Sequence, residues 1–273
     1  MQFWSLSGLT DYERVSRLQK RLVELRAQNQ IEDTILFLEH LPVVTRGRGL
    51  QFTGELRARH MPVPPMPAGI QFAESERGGD LTYHGPGQLV IYPICRLDGK
   101  GLFPHHDVTG FLRKMESWLV GWLRTLKLAH LDLIADTGSA ATGKASAPLI
   151  DISARDSATG VWVGERKIAS IGVAVRKWVT YHGIAINIVN DLQPFHLISP
   201  CGFSPEVMTR LRDLAPRDPR WTHEDWRGTL ESELSQVLVP GARVVKLELS
   251  GLEREIFTSG ERPVNFVDIE SCI

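Results

Sequence analysis

Three strand-like segments follow one another over residues 161 to 188, and they constrain the fold more than any other part of the chain. They read GVWV, KIASIGVAV and VTYHGIAINI, and only the short turns GER and RKW separate them. Connections this short join antiparallel neighbours, because a parallel pair needs a crossover of about a dozen residues or more. The segments therefore predict a β-meander at the centre of the chain, which argues against a doubly wound parallel sheet.

Helices and further strands flank the meander on both sides. Apolar residues that recur every three or four positions predict helices over residues 10–28, 105–127 and 223–238. Thr10, followed by Glu13, predicts a capping box at the start of the first helix. Shorter apolar runs predict strands over residues 34–45, 88–94 and 244–249. We therefore predict an α/β (α+β) fold, with a single domain in which helices flank a mixed β-sheet.

Composition excludes several classes of protein. The 31 basic and 32 acidic residues give a net charge of −1, which argues against a nucleic-acid-binding protein. No apolar run approaches the ~18 residues that span a bilayer, and the N-terminus does not resemble a secretion signal. Cys95, Cys201 and Cys272 lie far apart without a C-x-x-C pair, so neither a zinc site nor a redox pair is indicated. We expect a cytoplasmic protein, with a monomer as the default.

A near-match to a phosphate-binding loop occurs at residues 138–145, which read GSAATGKA. The motif requires a serine or threonine hydroxyl for Mg²⁺ at its last position, where this chain has Ala145. Pro148 follows soon after, so no helix begins there to supply the N–H groups that bind phosphate. We interpret the segment as a surface loop.

A glycine-rich loop leads directly into the strand predicted at 88–94. It reads RGGDLTYHGPGQL over residues 77–89 and holds four glycines within ten positions. Glycine permits positive φ and lets a ligand approach the backbone closely. Because the loop runs straight into a buried strand, we expect it to lie against the core and to line a ligand site, although a structural turn remains the alternative.

Small residues share one face of each of the last two meander strands. Alternation along a strand places Ile168, Ser170, Gly172 and Ala174 on one face of the first, and Gly183, Ala185 and Asn187 on one face of the second. If the strands pair, these faces form a shallow trough. A slender apolar ligand or a closely packed helix could fill it.

The stretch ISPCGF, residues 198–203, places Cys201 between Pro200 and Gly202. A free thiol has a pKa near ~8.5, and a nearby cation lowers that pKa and favours the nucleophilic thiolate. Lys167, at the start of a meander strand, can supply such a cation, or can accept the thiol proton when it is neutral and desolvated. Buried cysteine and solvated lysine are the alternatives.

Taken in order, RGGDLTYHGPGQLVIYPI, ERKIASIGVAVRKWVTYHGIAINI and FHLISPCGF resemble the lipoyl(octanoyl) transferase family, within the biotin and lipoate protein ligase superfamily. The resemblance covers most of residues 30–240, and it implies a catalytic domain like those of biotin protein ligase and lipoate ligase. We place that domain at residues 1–250, with a tail of unknown role at 251–273.

The resemblance also implies the site. Cys201 matches the family's acyl-thioester nucleophile, and Lys167 matches the lysine that assists it. The matching substrate-binding residues are Arg77, Gly78, Gly79, Asp80, Leu81, Thr82, Tyr83, His84, Ser170, Ile171, Gly172, Gly183, Ile184 and Ala185. The implied donor is octanoyl-acyl carrier protein. The implied acceptors are lysines of lipoyl domains, in 2-oxoacid dehydrogenase complexes and the glycine cleavage H protein, and no cofactor or metal is needed.

Three alternatives remain open. An ATP-dependent lipoate–protein ligase of the same fold would need no cysteine, whereas an amidotransferase would use the same residues with an octanoyl-protein donor. A binding module would lack the catalytic pair. The segment 137–159 looks longer than the family's usual connection, and the tail has no evident counterpart. His84 and His182 are candidates for polar contributors or for structural histidines.

Overall fold

A computed structural model describes residues 1–49, 63, 65–99, 102–103, 105–126, 133–135, 159–198, 204–222 and 225–258. Its central feature is an eight-stranded mixed sheet with the order β11-β1-β2-β6-β10-β9-β8-β7. The strands of this sheet are β1 Gln2–Thr10, β2 Thr34–His40, β6 Gln88–Ile94, β7 Leu133–Ala135, β8 Gly160–Val163, β9 Arg166–Arg176, β10 Val179–Asn187 and β11 Val244–Leu247. A smaller sheet has the order β4-β3-β5, formed by β3 Val43–Arg46, β4 Gln71–Glu74 and β5 Leu81–His84.

The predicted meander is present as β8, β9 and β10, all paired antiparallel. The strand predicted at 88–94 is β6, which pairs antiparallel with both β10 and β2. Among the described strands of this sheet, the parallel pairs lie at the other side, where β1 lies between β2 and β11. The prediction of a single domain with a mixed sheet is therefore confirmed.

Five α-helices accompany the sheets in the described residues. They are α1 Tyr12–Ala27, α2 Val108–Thr125, α3 Leu211–Leu214, α4 Trp226–Leu238 and α5 Leu249–Thr258. One face of the large sheet packs against α2 and α4 through a cluster that includes Phe111 and Trp122. The opposite face packs against α1 and α5 through a cluster that includes Leu18 and Leu252. The sheet is thus the middle layer of three.

The prediction that Thr10 caps the first helix is wrong. Thr10 is the last residue of β1, and its hydroxyl donates to the Glu39 carbonyl at 2.8 Å. The cap is Asp11, whose carboxylate accepts from the Arg14 amide at 2.9 Å. The sequence interpretation missed β1 altogether. Since β1 feeds directly into the helix, the cap falls one residue later than the pattern indicated.

Two predicted strands have different bounds. The strand expected at 34–45 is divided at Pro42 into β2 and β3, which belong to different sheets. The strand expected at 244–249 ends at Leu247, and α5 follows it. This helix crosses position 250, where we place the end of the catalytic domain, and its Leu252 and Ile256 are buried. The tail beyond 258 and the near-match at 138–145 lie outside the described residues, so those interpretations stay predictions.

No helix among the described residues is long and apolar enough to cross a membrane.

Replacing Asp11 with alanine should destabilise the protein by about 1 kcal/mol, because the first turn of α1 loses its side-chain cap. Asp11→Asn keeps an oxygen that accepts the same amide hydrogen, so it should stay close to the wild type. Urea unfolding of the three proteins measures the difference. Equal stability of Asp11→Ala and wild type would contradict the cap assignment.

Candidate active site

A pocket lies between the β9–β10 ladder and the glycine-rich loop, and it encloses about 590 Å³ of empty space, including its open mouth. Strand pairing brings Ser170 opposite Ala185 and Gly172 opposite Gly183, as expected for the small-faced trough. The predicted substrate-binding residues that line the pocket are Arg77, Gly78, Gly79, Thr82, His84, Ser170, Ile171, Gly172, Gly183, Ile184 and Ala185. Lys167 lines it as well.

Close backbone contacts explain the two facing glycines. A Cβ atom at Gly172 would lie 2.8 Å from the Gly78 carbonyl oxygen, and one at Gly183 would lie 2.4 Å from the Ile91 carbonyl oxygen. Contacts that short do not occur for real Cβ atoms, so side chains are excluded at both positions. The glycine-rich loop therefore lies directly on the trough and helps to enclose it. The sequence had suggested only a slender ligand or a packed helix above these small residues.

Arg77 holds the loop in this position. It is 8% exposed, and its guanidinium donates to the Thr45 carbonyl at 2.8 Å and to the Asp80 carbonyl at 2.7 Å. Leu81 and Tyr83 do not line the pocket, because they pack with Phe195 in a separate apolar cluster. Together with Asp80, which contributes its carbonyl, they support the loop from behind.

Lys167 reaches the pocket because of a β-bulge. The pairing of β8 with β9 shifts register between Val161 and Trp162, so Ile168 is an extra residue in β9. In such a bulge, strand alternation is interrupted locally. Ile168, which we predicted on the trough face, instead packs in the core on the α2 side together with Ala169. Lys167 consequently shares the pocket face with Ser170.

The Lys167 side chain is tightly packed. The side chain is 3% exposed, and its Nζ lies 5.4 Å from the ring centroid of Trp162. A Cβ atom at Gly160 would lie 2.7 Å from the Lys167 Cε, so only glycine leaves room for the lysine there. A lysine with this degree of burial is not the solvated hairpin residue that we considered as the alternative.

Cys201 lies outside the described residues, so its pairing with Lys167 stays a prediction. The chain is held in place on both sides of it. Ile198 is 5% exposed on one side, and on the other side Met208 forms a β-bridge with Lys167. The amide of Thr209 donates to the Lys167 carbonyl at 2.9 Å. Cys95, by contrast, is fully buried, and burial raises the pKa of its thiol well above the ordinary value.

A buried group of histidines and tyrosines lies beside the trough. It consists of Tyr12, His40, His84, Tyr92 and His182, of which all but His40 line the pocket. The His40 Nε2 and the Tyr92 hydroxyl are 2.8 Å apart, and the His84 Nδ1 lies 2.8 Å from the Gln88 Oε1. We call this set the His–Tyr cluster.

Burial keeps the histidines of this cluster neutral. It lowers the pKa of His40 to about 4 and that of His182 to about 3. Burial, with neighbouring His40 and Arg77, also holds the pKa of His84 well below 6.5. Near neutral pH these imidazoles can donate and accept hydrogen bonds, but they are too weakly basic to take up a proton.

Sequence reasoning missed Tyr12, His40 and Tyr92. They come from α1, β2 and β6, and no local motif connects them. The available signal was a polar residue within or at the end of an apolar strand, as in TILFLEH and QLVIYPI. No group of three or more His, Cys, Asp or Glu residues within the described ranges is arranged to hold a metal ion.

Comparison with known proteins places this site in a family. Residues 11–235 match the family model of the lipoyl protein ligase A/B catalytic domain. An octanoyltransferase of Syntrophobacter fumaroxidans is 36% identical over 211 residues, which cover 77% of this chain and 80% of that protein. The chain belongs to the lipoyl protein ligase A/B family.

Solved structures agree with this assignment at the level of the fold. Lipoate-protein ligase A bound with ATP superimposes with a TM-score of 0.57 at 20% identity, covering 94% of this chain and 95% of that one. A bipartite lipoate protein ligase from Thermoplasma acidophilum gives a TM-score of 0.55 at 18% identity, covering 100% and 98%. The predicted lipoate-ligase-like fold and the family resemblance are both confirmed.

The neutral His–Tyr cluster makes the stability of this lipoyl protein ligase A/B domain depend on pH. The pKa of His40 falls from an ordinary 6.5 to about 4 on folding, so the unfolded chain binds the proton first as pH drops. The stabilisation is present above about pH 6.5 and is lost toward pH 4. Through this one histidine, the free energy of unfolding should be about 2 kcal/mol lower at pH 5 than at pH 7.

His40→Gln removes this titration and should make the loss of stability between pH 7 and pH 5 smaller by about that amount. His196, whose side chain is 44% exposed, provides the control variant His196→Gln, which should keep the full loss. Urea unfolding at both pH values measures the effect. An identical loss in wild type and His40→Gln would contradict the buried, neutral state of His40.

Proposed function

We propose that this chain is an acyltransferase that moves an octanoyl group from octanoyl-acyl carrier protein to a lysine of a lipoyl domain. The observation that carries the proposal is the buried Lys167 at one end of the trough. Its backbone is hydrogen-bonded to the segment that follows Cys201. The relationship to octanoyltransferases supports the same reaction. The archaeal ligase with a similar fold is described together with its E2 lipoyl domain, in keeping with a lipoyl-domain acceptor.

The pocket suits an unbranched acyl chain. Gly172, Gly183 and Ala185 provide a narrow floor, and the loop at Gly78 covers it. Each buried CH₂ contributes ~0.8 kcal/mol, so an octanoyl chain gains several kcal/mol from the trough. We propose that the pocket-lining residues of the loop and of the two strands contact the acyl group, with Asp80, Leu81 and Tyr83 keeping the loop in place.

The chemistry proceeds by two acyl transfers. The Cys201 thiolate attacks the thioester carbonyl, the bond to the phosphopantetheine sulfur breaks, and the carrier thiol leaves with a proton. The lysine amine of the acceptor then attacks the Cys201 thioester, gives up a proton and forms an amide, which regenerates the cysteine thiol. The donor thioester supplies the driving force for both steps, so neither ATP nor a cofactor is required.

Lys167 assists at both steps in this proposal. As an ammonium ion it stabilises the Cys201 thiolate, and as a neutral amine it can take the proton from the thiol or from the attacking amine. The His–Tyr cluster does not compete for this role, because its imidazoles are weak bases. The acceptors that we propose are the lipoyl domains of 2-oxoacid dehydrogenase complexes and the glycine cleavage H protein.

Mixing the protein with octanoyl-carrier protein, without ATP or an acceptor, should add one octanoyl group to the Cys201 peptide. Mass spectrometry of intact protein and peptides measures the adduct, which hydroxylamine should cleave and a lipoyl domain should discharge. The buried Cys95 serves as an internal control and should stay unmodified. Transfer that occurs only with ATP and free octanoate would instead establish the ligase reaction.

Lys167→Ala should lower kcat/KM for transfer by about 100-fold or more, because the thiol loses its cation and proton acceptor. The pH at which iodoacetamide alkylates Cys201 should rise in the same variant. Lys177→Ala is the matched control, since Lys177 directly follows the far end of the same strand and its side chain is 53% exposed. An unchanged alkylation curve in Lys167→Ala would contradict the Cys–Lys pair.

A further inference from the structure

His182 lies at the opposite end of the pocket from Lys167. It pairs with Val173 on β9, whereas Lys167 lies six residues earlier on the same strand, one of them in the bulge. The Lys167 side chain runs along the strand to Gly160, which pairs with Ser170, so its end group lies about 10 Å along β9 from the position of His182. An acyl group attached near Lys167 and laid along the trough therefore points its methyl end toward His182.

The His182 backbone is unusual for a strand. Its φ is 55°, in the left-handed region that residues with a side chain rarely adopt. Regular alternation would turn its side chain to the core face, where Ile186 packs. Instead its ring stacks with Tyr12 at 6.4 Å between centroids and meets the Tyr92 ring edge-on at 6.0 Å, both on the pocket side. Such backbone strain is typical of functional positions.

The imidazole of His182 is buried without hydrogen bonds. It is 1% exposed, and neither ring nitrogen has a hydrogen-bond partner within the part of the chain that the structure describes. The Nε2 of Gln19 is likewise buried and unpartnered there, while the Gln19 Oε1 accepts from the His182 amide at 2.7 Å. Gln19 thus contacts the His182 backbone, and both side chains leave buried polar atoms unsatisfied within the described residues.

A water molecule matches these unsatisfied atoms. A neutral imidazole offers one donor and one acceptor, and the Gln19 amide nitrogen adds a donor. Buried water is favoured where a polar cavity supplies two to four such partners. A hydrocarbon chain end supplies none, so pushing it into this space would leave the nitrogens without partners.

We propose that His182, together with a water molecule held between it and Gln19, forms a polar end wall of the acyl pocket and sets the longest acyl chain that the enzyme accepts. This inference rests on the proposed octanoyl transfer and names the residue that determines its specificity. Chains that stop short of the wall gain from the apolar trough, and longer ones must displace the water.

The test compares hexanoyl-, octanoyl-, decanoyl- and dodecanoyl-carrier protein as donors, with kcat/KM measured for each. Wild type should prefer octanoyl over dodecanoyl by at least tenfold. His182→Gly removes the wall and relieves the positive φ, so it should raise the dodecanoyl-to-octanoyl ratio at least tenfold. Because both donors are measured on the same variant, a general loss of stability cancels from the ratio.

Two further variants complete the experiment. Tyr181→Phe changes the neighbouring residue, whose hydroxyl donates to Glu76 at 2.6 Å, and should keep the wild-type ratio. Asparagine tolerates the left-handed backbone, so His182→Asn should also raise the dodecanoyl-to-octanoyl ratio, but by less. This variant provides the test if His182→Gly does not fold.

The outcomes separate the inference from the function. An octanoyl-active wild type with an unchanged ratio in the folded His182 variants would overturn the end wall but leave the proposed function standing. A wild type that transfers no acyl group from any carrier protein would overturn both.

Discussion

The close approach of the Gly78 loop to Gly172 determines the form of the whole site. The Gly78 amide donates to the Val173 carbonyl at 3.0 Å, so the loop is fastened to β9 by its own backbone. Arg77 fastens the same loop to the small sheet through Thr45. The pocket therefore exists where two sheets meet, and a side chain at Gly172 would push them apart.

Periodicity in the sequence predicted the strands that build this site, and the structure confirms the meander and the strand at 88–94. The orientation of the residues at the two ends of the pocket could not be predicted from periodicity. Lys167 faces the pocket through a bulge, and His182 contacts it through a left-handed backbone. Both are breaks in strand alternation, and such breaks depend on how neighbouring strands pair rather than on local residue preference. A pattern-based interpretation therefore assigned Ile168 to the wrong face.

The sequence interpretation also missed side chains that come together from distant parts of the chain. The His–Tyr cluster combines residues from a helix and several strands, and only the fold brings them together. Family resemblance identified the loop and strand residues of the pocket because these occur in continuous motifs. It gave no indication of Tyr12, which directly follows the helix cap Asp11, or of a role for Tyr92, whose neighbours Ile91 and Pro93 are buried.

The position of β1 has a consequence for how the chain is made. Phe3 to Leu6 pair on one side with β2, but on the other side they pair with Val244 to Leu247, about 240 residues later. During synthesis, one edge of this apolar strand stays open until residues 244–247 have left the ribosome. Open strand edges recruit other strands, so the nascent protein exposes an aggregation-prone edge at β1. The last strand and α5 close that edge, which makes the C-terminal segment a safeguard for the first one.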